Sequence, residues 1–229
     1  MRLDKFICKS TELTRTEAKK LLKMGKVTVN DVVIKDPATQ VHENNCICIE
    51  GQALTARSSR YIILHKPLDT ICSNVDEIYP SLLHLIDVDK AFDMHIAGRL
   101  DADTTGLVLV TDDGRWSHNI ISPKKHCEKV YRVWLRSPLK PDTAEKFNFG
   151  VQLQGEDGLT LPAKLEKIAE KEVLLTITEG KYHQVKRMFA AVGNKVVGLH
   201  REQIGAIKLA DLPLAEWRYL TKGEIEPFL

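Results

Sequence analysis

Apolar residues along the first part of the chain recur at two different periods. Leu3, Phe6 and Ile7 fall at i, i+3 and i+4, which makes one apolar face of a short helix, with Arg2, Lys5 and Lys9 on another. Thr14-Arg15-Thr16-Glu17 has capping-box spacing, a hydroxyl at the cap and a carboxylate three residues on. It predicts a second helix that buries Ala18, Leu21 and Leu22 and stops at Gly25. The period then drops to two. Val27-Thr28-Val29 and Val32-Val33-Ile34 predict a hairpin closed at Asn30-Asp31 and ended by Pro37, and Cys46-Ile47-Cys48-Ile49 predicts another strand before Gly51. Gln52 to Ser59 is small and polar and reads as a linker, which divides the chain into residues 1–58 and 59–229.

Beyond the linker short apolar runs predominate. Tyr61-Ile62-Ile63-Leu64 predicts a buried strand ended by His65-Lys66-Pro67, and Leu82, Leu83, Leu85 and Ile86 predict a short helical face. Leu107-Val108-Leu109-Val110, bounded by turn residues, suits another buried strand. Lys129 to Leu135 and Val173 to Ile177 alternate as strands, and a helix is expected around Thr143 to Phe149. From His183 to Val192, Val185, Met188, Phe189 and Val192 share one helical face; Gly193 ends it, and Lys195 to Leu199 returns to a strand. Strands outnumber short helices and there is no regular βα alternation. The expected class is therefore α+β around a mostly antiparallel mixed sheet.

Composition adds limits. The chain is 43% hydrophobic and 28% charged, and no apolar run approaches the ~20 residues of a membrane span. Met1-Arg2-Leu3-Asp4-Lys5 is not followed by an apolar segment, so no secretory leader is expected. Five scattered cysteines without a C-x-x-C pair fit the reduced thiols of a cytoplasmic protein rather than a zinc site.

The net charge of +2 conceals an asymmetry. Residues 1–26 carry eight basic and three acidic groups, leaving 25 basic and 28 acidic for the rest of the chain. The eight cations, Arg2, Lys5, Lys9, Arg15, Lys19, Lys20, Lys23 and Lys26, fall outside the apolar stripes and point to a polyanionic partner. Contacts of this kind to phosphate give affinity and orientation without sequence information. Arg2-Leu3-Asp4-Lys5-Phe6-Ile7, Thr14-Arg15-Thr16-Glu17-Ala18 and Gly25-Lys26-Val27-Thr28-Val29-Asn30 make this segment resemble an S4 (αL-type) domain. The resemblance implies RNA, rather than an acidic membrane surface, as the partner.

The densest chemistry lies in Gly98-Arg99-Leu100-Asp101-Ala102-Asp103-Thr104-Thr105-Gly106, where one cation, two carboxylates and two hydroxyls sit between glycines, next to a strand able to pin them. Tyr131, inside an apolar strand, and Lys186-Arg187, near the start of an amphipathic helix, are the other candidates. A half-buried aspartate needs a cation to stay charged, and either Lys186 or Arg187 can supply it. A tyrosine can stack its ring on a base while its hydroxyl joins hydrogen bonding or proton transfer. Taken singly, each has a plainer reading: ordinary turn residues, a core tyrosine, a solvated helix face.

Taken together, Leu64-His65-Lys66-Pro67, Gly98-Arg99-Leu100-Asp101 through Gly106-Leu107, Lys129-Val130-Tyr131 and the run from Glu179 to Met188 resemble, in order and spacing, the RsuA-type pseudouridine synthases of ribosomal RNA. The resemblance covers essentially the whole chain. It implies the pseudouridine synthase fold, with Asp101 as the essential carboxylate, attacking the sugar or taking a ribose proton while uracil is detached. Tyr131 would stack on the flipped base and help move the proton from C5. Lys186 stands where many related synthases carry an arginine, which keeps the charge and loses the bidentate fork; Lys186 is the favoured partner of Asp101 and Arg187 the alternative. Arg99, reaching into the space left by the extruded uridine, Arg187 and Thr104 are the implied substrate contacts, and Asp103 is expected to hold the loop. No cofactor and no metal is implied. The partner the resemblance implies is 16S ribosomal RNA, with the uridine numbered 516 as its expected target, or the assembling small subunit, engaged by a monomer without a membrane, with large-subunit (23S) RNA as the alternative target.

Two rival readings remain at this point. Asp101-Ala102-Asp103-Thr104-Thr105 matches the D-x-D-x-T of haloacid-dehalogenase-type phosphatases, which use magnesium, yet it follows Ile96-Ala97-Gly98-Arg99-Leu100 instead of a buried apolar strand. The other is an S4-type RNA-binding protein without catalysis.

Overall fold

The computed structural model describes residues 1–42, 44–55 and 57–229 and separates into two compact units, Met1–Ser58 and Ser59–Leu229. Ala56, within the expected linker, lies outside the described residues. In the first unit α1 (Leu3–Ser10) and α2 (Arg15–Lys23) share a core with a small sheet of β1 (Val27–Val29), β2 (Val32–Val33), β3 (Ile47–Ile49) and β4 (Gln52–Ala53), in the order β2-β1-β3-β4. The capping box is formed: Thr14 Oγ1 accepts from the Glu17 N–H, and the Glu17 carboxylate accepts from the Thr14 N–H at 2.8 Å. Leu3, Ile7, Ala18 and Leu22 are buried, with Leu21 half-buried. The β1–β2 hairpin turns through Asn30 and Asp31, both left-handed (φ 49° and 64°), as a type I′ turn requires. Gln52 and Ala53 are not linker: they form the edge strand β4, opposite Ile49 and Cys48.

The second unit contains β5 (Tyr61–Lys66), β6 (His95–Ala97), β7 (Thr105–Thr111), α3 (Gly114–Ile121), β8 (Lys129–Leu135), α4 (Thr143–Phe149), β9 (Lys164–Ala169) and β10 (Glu172–Ile177). It continues through α5 (Gln184–Ala191), β11 (Val196–Ile204), β12 (Ile207–Lys208), β13 (Trp217–Tyr219) and α6 (Lys222–Ile225). One sheet runs β13-β5-β7-β11-β8-β10-β9, with β6 also pairing β7 and β12 also pairing β11. Among these strands only β7 and β11 pair in parallel, so the mixed, mostly antiparallel α+β class is observed.

Both faces of the sheet centre are covered. Ile62, Leu64, Val108 and Val110 belong to one hydrophobic cluster, while Ile63, Leu107 and Leu109 belong to another. Burial on both sides explains why β5 and β7 read as continuous apolar runs instead of alternating. Gly106 marks the parallel junction: its φ is +120°, and a Cβ there would lie 2.4 Å from the backbone N and O of Arg201. No side chain fits in that space.

Helix α3 was not anticipated. Asp112-Asp113-Gly114 reads as a turn, but Asp113 caps a helix, accepting from the N–H groups of Arg115 and Trp116. The segment Leu82–Leu85 is a 3-10 helix, with Leu82 and Leu83 buried. Among the described residues no helix is long and apolar enough to cross a membrane.

Candidate active site

The loop from Gly98 to Thr104, between β6 and β7, is held at nearly every peptide group. Arg201, on β11 and 2% exposed, donates from Nε to the Leu107 carbonyl (2.8 Å) and from its two terminal nitrogens to the carbonyls of Arg99 (3.5 Å) and Gly98 (3.3 Å). Lys66, at the end of β5 and wholly buried, donates to the carbonyls of Pro67 (2.9 Å), Ala102 (3.4 Å) and Thr104 (2.9 Å). The Leu100 N–H donates to Cys72 Sγ (3.2 Å), the Asp69 N–H to Ala102 (2.9 Å), and the Thr104 N–H to the Asp101 carbonyl (3.1 Å). Two buried cations therefore grip the loop on either side of Asp101 through carbonyls, and neither forms an ion pair among the described residues. Burial pushes the Lys66 amine below its ordinary range, against the pull of Cys72, Asp101 and Asp103. A carboxylate on so constrained a loop is preorganised.

The Asp101 carboxylate meets two groups from the start of α5. Lys186 Nζ donates to Oδ2 at 2.7 Å, and His183 Nε2 lies 3.3 Å from Oδ1. Lys186 also donates to Asp103 at 2.6 Å. Burial works against the charge on Lys186, but the two carboxylates outweigh it and hold the amine above its ordinary range. Burial likewise opposes the Asp103 charge, yet Lys186 keeps that carboxyl below the usual range.

Between the two basic neighbours the geometry is unequivocal. Arg187 turns to Glu156 (3.1 Å), the Tyr182 carbonyl (3.0 Å) and the Gln154 carbonyl, and it does not line the cavity in front of Asp101. His183 was missed by sequence reasoning. It has left-handed backbone (φ 48°), and its ring stacks on Tyr182 with centroids 3.8 Å apart.

The cavity measures about 640 Å3 and is walled by the 98–104 loop, β8 and the start of α5. Tyr131 is 8% exposed and faces it, its hydroxyl accepting from Arg201 at 3.3 Å. Lys129, two residues earlier on β8, lines the same wall. Arg99 is exposed at the cavity, and its guanidinium forms no hydrogen bond or ion pair among the described residues. Thr104 is buried, its hydroxyl donating to Asp103 at 3.4 Å. The arrangement sets a carboxylate, held by the Lys186 ammonium group, in a cavity that also presents an aromatic ring. That combination suits attack on, or proton removal from, a sugar whose base is stacked alongside.

In the first unit the cations are not equivalent. Arg2 is paired with Asp4 (2.8 Å) and Lys26 with Glu50 (2.6 Å), while Lys5 and Lys9 are half-buried. Arg15, Lys19, Lys20 and Lys23, all on α2, are exposed and form no ion pair among the described residues. The two helices thus do not offer matching basic faces; the exposed charge lies mainly on α2.

Comparison with known proteins adds a separate line. The family described as RNA pseudouridylate synthase matches residues 60–191, and the S4 domain family matches residues 1–45. The chain is 57% identical over 226 residues to ribosomal small subunit pseudouridine synthase A of Vibrio cholerae, covering 98% of each. It is 50% identical over 227 residues to the protein of the same name from Escherichia coli K12, again covering 98% of each. A solved structure described as a pseudouridylate synthase, 47% identical, aligns over 100% of both chains with a TM-score of 0.74.

Proposed function

The chain belongs to the RNA pseudouridylate synthase family and is an RNA pseudouridine synthase, and from that premise we propose that it isomerises one uridine of small-subunit (16S) ribosomal RNA, the uridine numbered 516. The substrate assignment is supported by the relatives from Vibrio cholerae and Escherichia coli, which are named for the small subunit. The phosphatase reading falls with the family, and with a sheet whose named strands are antiparallel apart from one pair.

One observation carries the roles: the 2.7 Å contact of Lys186 with Asp101 in the cavity that Tyr131 faces. Asp101 attacks the sugar or takes a ribose proton, Lys186 holds the carboxylate in place, and Tyr131 stacks on the uracil while it is detached and turned. Arg99, exposed at the cavity, occupies the gap left in the RNA. Extruding the uridine costs a few kcal/mol, which contacts elsewhere on the RNA must offset. Residues 1–58 supply those contacts as an S4-type RNA-binding domain, through the exposed cations of α2. The chain acts as a monomer in the cytoplasm, on the RNA or on the assembling small subunit.

The test is pseudouridine mapping of ribosomal RNA from cells with and without this protein. Loss of a single small-subunit pseudouridine at 516 is the expected result. Loss confined to large-subunit RNA, or no loss, contradicts the assignment.

A further inference from the structure

Among the described residues, one buried basic side chain in the catalytic cavity has no partner. Lys129 is 8% exposed, lines the cavity, and forms no hydrogen bond or ion pair among the described residues. Its titratable neighbours are the Cys127 thiol and the cation Arg201; burial depresses the amine's pKa and Arg201 adds to this. The contrast with Lys66 is instructive, since that buried ammonium has three carbonyl acceptors. An ammonium group taken out of water with no acceptor destabilises the fold, so its presence calls for a ligand that the protein alone does not provide.

The position says which ligand. Inward residues of β8 alternate as Lys129, Tyr131, Val133 and Leu135, so Lys129 and Tyr131 stand on one face about 7 Å apart along the strand. Ile177, buried on β10, lies opposite Lys129 and also lines the cavity, so an apolar side chain flanks the lysine on that wall. The phosphodiester of an extruded nucleotide must lead back to the RNA through solvent, past exposed Arg99. A buried apolar wall beside the stacking ring instead receives the edge of the base.

We propose that Lys129 is a further catalytic residue, donating a hydrogen bond to a carbonyl oxygen of the uracil stacked on Tyr131 and stabilising the negative charge that gathers there. The inference rests on the Asp101 and Tyr131 roles given above. When the N1–C1′ bond breaks, both bonding electrons leave with uracil, and the charge spreads over N1, O2 and O4. The turned ring then supplies an electron pair from C5 to C1′, and the C5 proton ends on N1, so the nucleoside is isomerised without net gain or loss. Lys129 keeps its protons throughout. Set in the buried part of the cavity wall, such a preorganised donor acts more strongly than it would in solution.

The experiment uses the purified full chain and the ribosomal RNA, free or assembling, in which the modified uridine has been mapped. Lys129→Met is expected to unfold at the same temperature as wild type or higher, because it removes an unpartnered buried charge. Its single-turnover rate is expected to fall by about 100- to 1000-fold, with RNA affinity little changed. Lys129→Arg is expected to recover part of the rate. A lower unfolding temperature, an unchanged rate, or a loss seen in affinity alone overturns the proposal. A methylphosphonate beside the target uridine separates base from phosphate. It is expected to slow wild type and Lys129→Met by the same factor; slowing wild type alone would place Lys129 on the phosphate and overturn the assignment to uracil. Wild-type turnover of the same RNA checks the substrate reading independently.

Discussion

The guanidinium of Arg201 donates to the hydroxyl of Tyr131 at 3.3 Å, with its central carbon 5.9 Å from the centre of the tyrosine ring. On β11, Arg201 is in register with Gly106 of β7 on one side and Tyr131 of β8 on the other. Its side chain also holds the carbonyls of Gly98, Arg99 and Leu107. A single residue therefore joins the ring assigned to stack on uracil and the loop that carries Asp101.

Arg201→Lys tests that frame. Lysine offers three donors from one point instead of a planar fork, and cannot reach four acceptors in these directions. The variant is expected to lose about 2–4 kcal/mol in urea unfolding, because buried carbonyls are left unpaired. Its single-turnover rate is expected to fall more than tenfold as the loop loosens. Wild-type stability and rate would show that the fork is dispensable.

The local features of this fold were legible and the distant ones were not. The Thr14–Glu17 cap, the Asn30–Asp31 hairpin and the β5 and β7 strands follow from neighbours within a few residues. The pairing of Asp101 with Lys186 spans 85 positions and came from family likeness, which preferred Lys186 without excluding Arg187. Arg201 went unnoticed because Lys195 to Leu199 predicts a strand that stops too soon; β11 continues to Ile204, with Arg201 turned inward. Helix α3 was hidden by Asp112-Asp113-Gly114, although Trp116 and Ile120, four residues apart and both buried, carried its signal. Strand β9, largely exposed, has no apolar alternation to read. His183 and Lys129 were visible only as members of motifs, since their roles depend on what the fold places opposite them.

Lys186 bridges Asp101 and Asp103, but the two carboxylates are not interchangeable. Asp101 has His183 as a second neighbour, whereas Asp103 is 72% exposed. Asp103→Asn is expected to retain turnover within about tenfold, while Lys186→Met is expected to lose about a hundredfold. The pH dependence follows from the signs. Asp103 titrates below its ordinary 3.8, so its pairing is present above that value and is lost as pH falls further. Lys186 titrates above its ordinary 10.5, so its pairing is present below that value and is lost as pH rises beyond it. The stability difference between wild type and Lys186→Met is therefore expected to be flat from about pH 5 to 9, as urea unfolding at several pH values would show.

The exposed cations of α2 make a prediction about salt. Replacing Arg15, Lys19, Lys20 and Lys23 by alanine is expected to weaken RNA binding and to flatten the plot of log K against log salt by about 3 in slope, if each contacts one phosphate. The Arg2–Asp4 and Lys26–Glu50 pairs are expected to contribute less, since their cations already have partners. An unchanged slope would show that α2 does not touch the backbone.

The central claim, that the Asp101 carboxylate carries the reaction, is tested most directly by Asp101→Asn. The amide keeps the size of the side chain and removes the charge that Lys186 and His183 face. The measurement is pseudouridine formed in a single turnover, beside the affinity of the same variant for the same RNA. Near-wild-type binding with no pseudouridine is the expected result, and pseudouridine formed at a rate approaching wild type would contradict it.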